Sequence, residues 1–147
     1  MGVLLNKISV TNIFWFCCVS LIDDRCYLPV GYVEKEKRNW TEASSFCESQ
    51  GGQLVSIRDR REQAFLSYLM QGLEGDAWIG LHDTISSGRY YWLDDSDIRY
   101  TNWALGEPSF FGIQEDCVKM VYDSLDSGEW KDDVCNKKLA FICYADK

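Results

Sequence analysis

Seven cysteines in a chain of 147 residues, none of them in a Cys-x-x-Cys pair, most constrain what this sequence can fold into. That density suits an oxidising compartment and a disulfide-stapled domain rather than a cytosolic enzyme. A zinc site is a poor match, because the single histidine, His82, lies far in sequence from every cysteine. Spacing alone leaves the pairing of the cysteines open.

The length allows one domain, and a hydrophobic share of 46% with 14% aromatic residues is enough for one core. A net charge of -8 argues against nucleic acid and anionic membrane surfaces as partners. The densest basic run, Lys35, Lys37 and Arg38, is interleaved with Glu34 and Glu36 and reads as a solvated segment.

Residues 1–22 read as a signal peptide or leader, since Lys7 precedes the apolar run Ile13 to Val19 and small Ser20 follows. The run is too short to span a bilayer. Cleavage there leaves Cys26 as an odd thiol, whereas an uncleaved chain offers it Cys17 or Cys18. The domain itself is expected over residues 26–144.

Helical and strand signals alternate along that domain. Asn39-Trp40-Thr41-Glu42 has a capping-box pattern, and Trp40, Ala43, Phe46 and Cys47 follow at helical spacing up to Gly51-Gly52. A second capping box, Asp59 to Glu62, opens a helix with Phe65, Leu69 and Leu73 on one stripe and an end near Gly72 or Gly75. Strands are predicted at Gln53–Ile57, Trp78–Leu81, Tyr90–Leu93, Val118–Tyr122 and Leu139–Ile142. Gly80 inside the second of these marks a place where another backbone comes close.

The carboxy-terminal third carries Glu107-Pro108-Ser109, Glu115-Asp116-Cys117, Trp130-Lys131-Asp132, Cys135 and Phe141-Ile142-Cys143. With Trp78-Ile79-Gly80-Leu81 ahead of them, these motifs resemble the C-type lectin domain. The stretch from Tyr100 to Pro108 is similar to domains of the macrophage mannose receptor group. The resemblance covers Cys26 to Tyr144 and implies an α+β, C-type lectin-like fold of two helices, small antiparallel sheets and a long irregular loop region. It also implies disulfides Cys47-Cys143 and Cys117-Cys135, and a cis bond before Pro108.

In that family a Glu-Pro-Asn triplet, a later Glu and a Trp-Asn-Asp triplet gather oxygens around Ca²⁺, which binds sugar hydroxyls. The matching positions here are Glu107, Ser109, Glu115, Lys131 and Asp132, so both asparagines are replaced. Calcium needs six to eight oxygen ligands, and an ammonium group has none. An ammonium about 5 Å from Ca²⁺ costs on the order of 7 kcal/mol at an effective dielectric near 20, unless it reaches out into water. The expectation is a degenerate site in which Glu107, Glu115 and Asp132 are doubtful metal ligands and Lys131 pairs with Glu107 or Glu115 as a built-in cation. No cofactor is expected, with Ca²⁺ returning only if the degenerate site still binds. At the auxiliary calcium site of the family Asp83 and Asp116 match, Ser87 and Phe110 do not, and the two acids read as surface or turn carboxylates.

Phe110 and Phe111 follow the site and are candidate ligand contacts or core packing. Trp92, Trp103 and Trp130 read as core residues. Asn39-Trp40-Thr41 is an N-glycosylation sequon at a helix start, where Asn39 is also the cap. An enzyme is disfavoured, because His82-Asp83 has no nucleophile motif around it. These features point to a recognition module, secreted or on the extracellular face of a receptor. Its ligand is a glycan or an extracellular protein bound without calcium, and the alternative is a weak calcium-dependent lectin of mannose type.

Overall fold

The computed structural model describes residues 24–84, 88–109, 116–123 and 127–146. The chain runs β1 (Arg25–Val30), α1 (Trp40–Ser49), β2 (Gln53–Leu54), α2 (Arg60–Leu73), β3 (Ala77–His82), β4 (Tyr91–Trp92), β5 (Cys117–Met120), β6 (Trp130–Asp133) and β7 (Ala140–Asp146). The strands join in one network of order β1-β7-β3-β5-β6, with β2 added to β7 and β4 to β3. All pairings are antiparallel except β3 with β7, where Ala77 and Trp78 meet Ala140 and Phe141 in parallel.

The central strands are buried on both faces, which explains their unbroken apolar runs. Along β7, Ala140, Ile142 and Tyr144 enter one core with the α2 residues Phe65, Leu66, Met70 and Leu73. Phe141, Cys143 and Ala145 enter the other, with Trp40, Ala43 and Cys47 of α1. Strand β3 divides the same way, with Ile79 and Leu81 on the α2 side and Trp78 on the α1 side. Alternation of side chains across a strand produces this division. A Cβ on Gly80 would lie 2.7 Å from the Leu54 carbonyl oxygen, the close backbone approach expected there.

Both expected disulfides are present. Cys47–Cys143 ties α1 to β7 across 96 residues, and Cys117–Cys135 closes the 18-residue stretch containing β6. On the chain-entropy account such loops stabilise by about 3 to 5 kcal/mol each. Cys26 is also disulfide-bonded and buried. The reading of its partner, like that of the leader, falls outside the described residues.

Helix α1 starts on the predicted capping box: Asn39 Oδ1 accepts from the Glu42 amide at 2.9 Å, and the Asn39 amide donates to Glu42 Oε2 at 3.2 Å. The second box forms only by half. Asp59 accepts from the Glu62 amide, but the Glu62 side chain turns inward and is fully buried. There it accepts from Arg25 Nη1 at 3.0 Å, from the Arg58 amide at 2.7 Å and from the Tyr27 hydroxyl. A carboxylate with that many donors bonds better inside than a first-turn glutamate does in water. Helix α2 ends at Leu73 with Glu74 left-handed at φ 52°, and its buried stripe is wider than predicted, since Leu66 and Met70 join Phe65 and Leu73.

Strand limits needed correction. Gln53–Ile57 pairs only through Leu54, Tyr90–Leu93 shortens to Tyr91–Trp92, and Val118–Tyr122 moves to Cys117–Met120. Leu139–Ile142 becomes the longer Ala140–Asp146. Strands β1 and β6 carried no sequence signal, because β1 contains an arginine and a proline and β6 contains one lysine and two aspartates. Pairing with β7 and β5, rather than local propensity, makes them strands.

Candidate functional site

Trp130 fixes the floor of the site. Its ring is fully buried, meets Trp92, Tyr100 and Trp103 edge-on at centroid distances of 5.6 to 5.9 Å, and donates from Nε1 to Gln63 Oε1 at 2.8 Å. The preference of aromatic quadrupoles for edge-to-face contact locks this cluster. All three tryptophans therefore serve packing, as the sequence implies. Two residues along β6, Asp132 lies on the same face as Trp130 and is 6% exposed.

The loop carrying Glu107 is tied to that strand. The Trp130 amide donates to the Asn102 carbonyl at 2.8 Å, the Ala104 amide to the Trp130 carbonyl at 3.0 Å, and the Glu107 amide to the Ala104 carbonyl at 3.0 Å. Gly106 at φ 80° makes the turn between them, a conformation that glycine adopts without steric cost. The Glu107–Pro108 peptide is cis, as the resemblance implies.

Three of the expected site residues converge. Ser109 donates to Asp132 Oδ1 from both its amide and its hydroxyl, each at 3.0 Å, and its amide also approaches Glu107 Oε2 at 3.2 Å. Tyr90 donates from its hydroxyl to Asp132 Oδ2 at 3.1 Å. Burial, a hydrogen bond with Asp132 and the charge of Asp132 push the Glu107 carboxyl up to about 7. Two facing acids thus share one proton below neutrality.

Among the described residues Lys131 forms no ion pair in this cradle, although its charge acts on the Glu107 carboxyl and lowers it. The lysine is exposed and projects from the opposite face of β6 to Trp130 and Asp132, in register with Lys119 of β5. Of its two expected partners Glu115 lies outside the described residues, and no described carboxylate lies within ion-pair distance of the ammonium, so Glu107 is not paired with it. Strand alternation, which the isolated triplet did not reveal, is the reason. Lys119 instead bridges Asp76 at 2.8 Å and Asp133 at 2.7 Å. Glu115, Phe110 and Phe111 lie outside the described residues.

Asp83 and Asp116 come together, Asp83 as a buried turn carboxylate and Asp116 as a half-buried one. Asp83 is 6% exposed, its Oδ2 accepts from the Gly88 amide at 2.8 Å, and its Oδ1 is buried with no hydrogen-bond partner among the described residues. Burial and the neighbouring Asp83 raise the Asp116 carboxyl. Ser87 is outside the described residues. The adjacent His82 is buried beside Trp40, bonds Thr84 Oγ1 through Nδ1 at 2.8 Å, and is pushed down by burial. Asp83 does not orient it.

Tyr90 was missed by sequence reasoning, which treated it only as a strand residue. Its partner Asp132 is 42 positions away, and no local pattern signals such a bond.

A family model described as the Lectin C-type domain matches residues 36–145. The human low affinity immunoglobulin epsilon Fc receptor is 38% identical over 120 residues, which is 81% of this chain and 34% of that protein. The chain thus spans about a third or less of the length of the first curated relatives it matches. Among solved structures, the cow carbohydrate-recognition domain of CD23 in the presence of a GlcNAc2Man3 oligosaccharide has a TM-score of 0.75 at 31% identity, covering 89% of this chain and 98% of its own. A calcium-independent type II antifreeze protein has a TM-score of 0.76 at 25% identity, covering 86% and 90%. Among the described residues, no helix is long and apolar enough to cross a membrane.

Proposed function

Since the chain belongs to the C-type lectin domain family, we propose that it is an extracellular recognition module that binds its ligand, a glycan or a protein, without calcium. One observation carries this reading: both carboxylate oxygens of Asp132 are taken by donors of the protein itself, Ser109 on Oδ1 and Tyr90 on Oδ2. These donors hold the Asp132 carboxylate in place without help from a metal.

The oxygen count supports the same reading. Among the described residues the side chains at the site are Glu107, Ser109, Asp132 and Tyr90, and Ca²⁺ asks for six to eight oxygens. No group of three acidic, histidine or cysteine side chains among the described residues forms a metal cluster. A calcium-independent member of this fold is found among the neighbouring solved structures, the type II antifreeze protein.

A second reading rests on a different observation. Glu107 with Asp132 and Asp83 with Asp116 are paired carboxylates held close, and a divalent cation would relieve their repulsion. The two readings separate in a thermal melt. A metal-free module melts at the same temperature in calcium and in EDTA, and a glycan array gives the same pattern in both. A calcium-dependent rise in melting temperature, through ligand linkage, overturns the proposal.

A further inference from the structure

The sequon Asn39-Trp40-Thr41 and the cap of α1 make competing claims on one side chain, and the structure separates them. Asn39 caps with Oδ1, which accepts from the Glu42 amide at 2.9 Å. Its backbone amide is met by Glu42 Oε2. The side-chain nitrogen Nδ2 makes no hydrogen bond among the described residues. Asn39 itself is partly exposed, in extended backbone at φ -68° and ψ 167°, and Thr41 is exposed. Trp40 between them turns inward, donating from Nε1 to the Ile79 carbonyl at 2.9 Å. The two residues that define the sequon therefore stay at the surface while the one between them anchors the helix.

We infer that Asn39 carries an N-linked oligosaccharide on Nδ2 while its Oδ1 continues to cap α1, so that modification and helix capping coexist on one amide. The new bond joins Nδ2 to the anomeric carbon of the first N-acetylglucosamine. The bond from that carbon to the pyrophosphate of a lipid-linked oligosaccharide donor breaks, and one of the two Nδ2 protons is released. The amide oxygen keeps its lone pairs, so the acceptor at the head of the helix is unchanged. The buried disulfides Cys47–Cys143 and Cys117–Cys135 place folding in the oxidising compartment where such donors act. Arg38 and Glu42, the chain neighbour and the capping partner of Asn39, both line an open cleft of about 440 Å³ with Glu34, Lys35, Lys37 and Lys138. A glycan at Asn39 flanks that mixed-charge edge.

This is the one Asn-x-Ser/Thr sequence in the chain, so the assignment is unambiguous. The full chain, secreted from eukaryotic cells behind a secretory leader, is to be compared with Asn39→Asp, Thr41→Ala and Asn39→Ala by intact mass before and after peptide N-glycosidase. The expected result is a glycan mass on the natural chain that the enzyme removes, and none on the three variants. Melting temperatures test the coexistence. Asn39→Asp and Thr41→Ala keep a capping oxygen and should melt near the natural glycoprotein, whereas Asn39→Ala should melt several degrees lower. A natural chain secreted without glycan overturns the inference. So does a glycoprotein that melts as low as Asn39→Ala and below Thr41→Ala, because the sugar would then have displaced the cap.

Discussion

Glu107 and Asp132, 25 positions apart in the chain, present their carboxyl groups to one another, and Ser109 approaches both. Burial and the facing Asp132 raise the Glu107 carboxyl, and the charge of Lys131 from the neighbouring triplet only partly offsets them.

That relationship sets a pH dependence. The Glu107 carboxyl is raised from 4.5 to about 7, so the folded protein binds its proton more tightly than the unfolded chain. Its contribution is fully present below about pH 4.5 and is lost as pH rises towards 7. Glu107→Gln removes the titration, so its stability relative to the natural chain should improve by about 1 kcal/mol between pH 5 and 8, with solvent screening of a half-buried pair allowed for. Urea melts across that range check this. A difference independent of pH would show that Glu107 does not titrate in the window.

Calcium binding should be recoverable by restoring oxygen ligands. Ser109→Asn adds an amide oxygen beside Asp132 and removes the hydroxyl bonded to it, and Lys131→Asn removes the positive charge that acts on Glu107. The double variant is expected to gain a calcium-dependent rise in melting temperature that the natural chain lacks. A flat calcium titration would show that the backbone positions, and not only the side chains, have diverged.

Tyr90→Phe is a test of the donor that sequence reasoning missed. It removes the hydroxyl that serves Asp132 Oδ2. Loss of one such bond to a charged acceptor should cost about 1.5 to 3 kcal/mol, read from denaturant melts. Unchanged stability would mean that water replaces the phenol freely.

Glu62 is expected to be the most sensitive polar position of the fold. It is fully buried and holds Arg25, which is itself 5% exposed. Glu62→Ala leaves that guanidinium buried without its main partner, although Asp94 lies at 3.8 Å. The expected loss is about 3 to 5 kcal/mol. A loss below 1 kcal/mol in a chemical melt would contradict the buried-pair account.

Gly80→Ala tests the close passage of β3 past β2. The added methyl meets the Leu54 carbonyl oxygen at 2.7 Å, a backbone atom that cannot rotate away. Overpacking of this kind costs about 1 to 3 kcal/mol. A variant as stable as the natural chain would mean that the strands separate without penalty.

Much of this was legible in the order of residues, for a physical reason. The capping box at Asn39, the apolar run around Gly80, the stripe at Phe65 and Leu73 and the motif Glu107-Pro108 are local patterns set by hydrogen-bond geometry, side-chain period and motif spacing. Together with four cysteines in order, they gave the α+β lectin-like fold and its disulfides. What the sequence could not state is anything that depends on which face of a strand meets which neighbour. Tertiary pairing alone made strands of Arg25–Val30 and Trp130–Asp133. It turned Glu62 inward from a cap to a core ion pair. It also left Lys131 without an ion pair to Glu107 and brought Tyr90 to Asp132. Those outcomes are decided by long-range contacts between residues tens of positions apart, where burial and donor supply outweigh local preference.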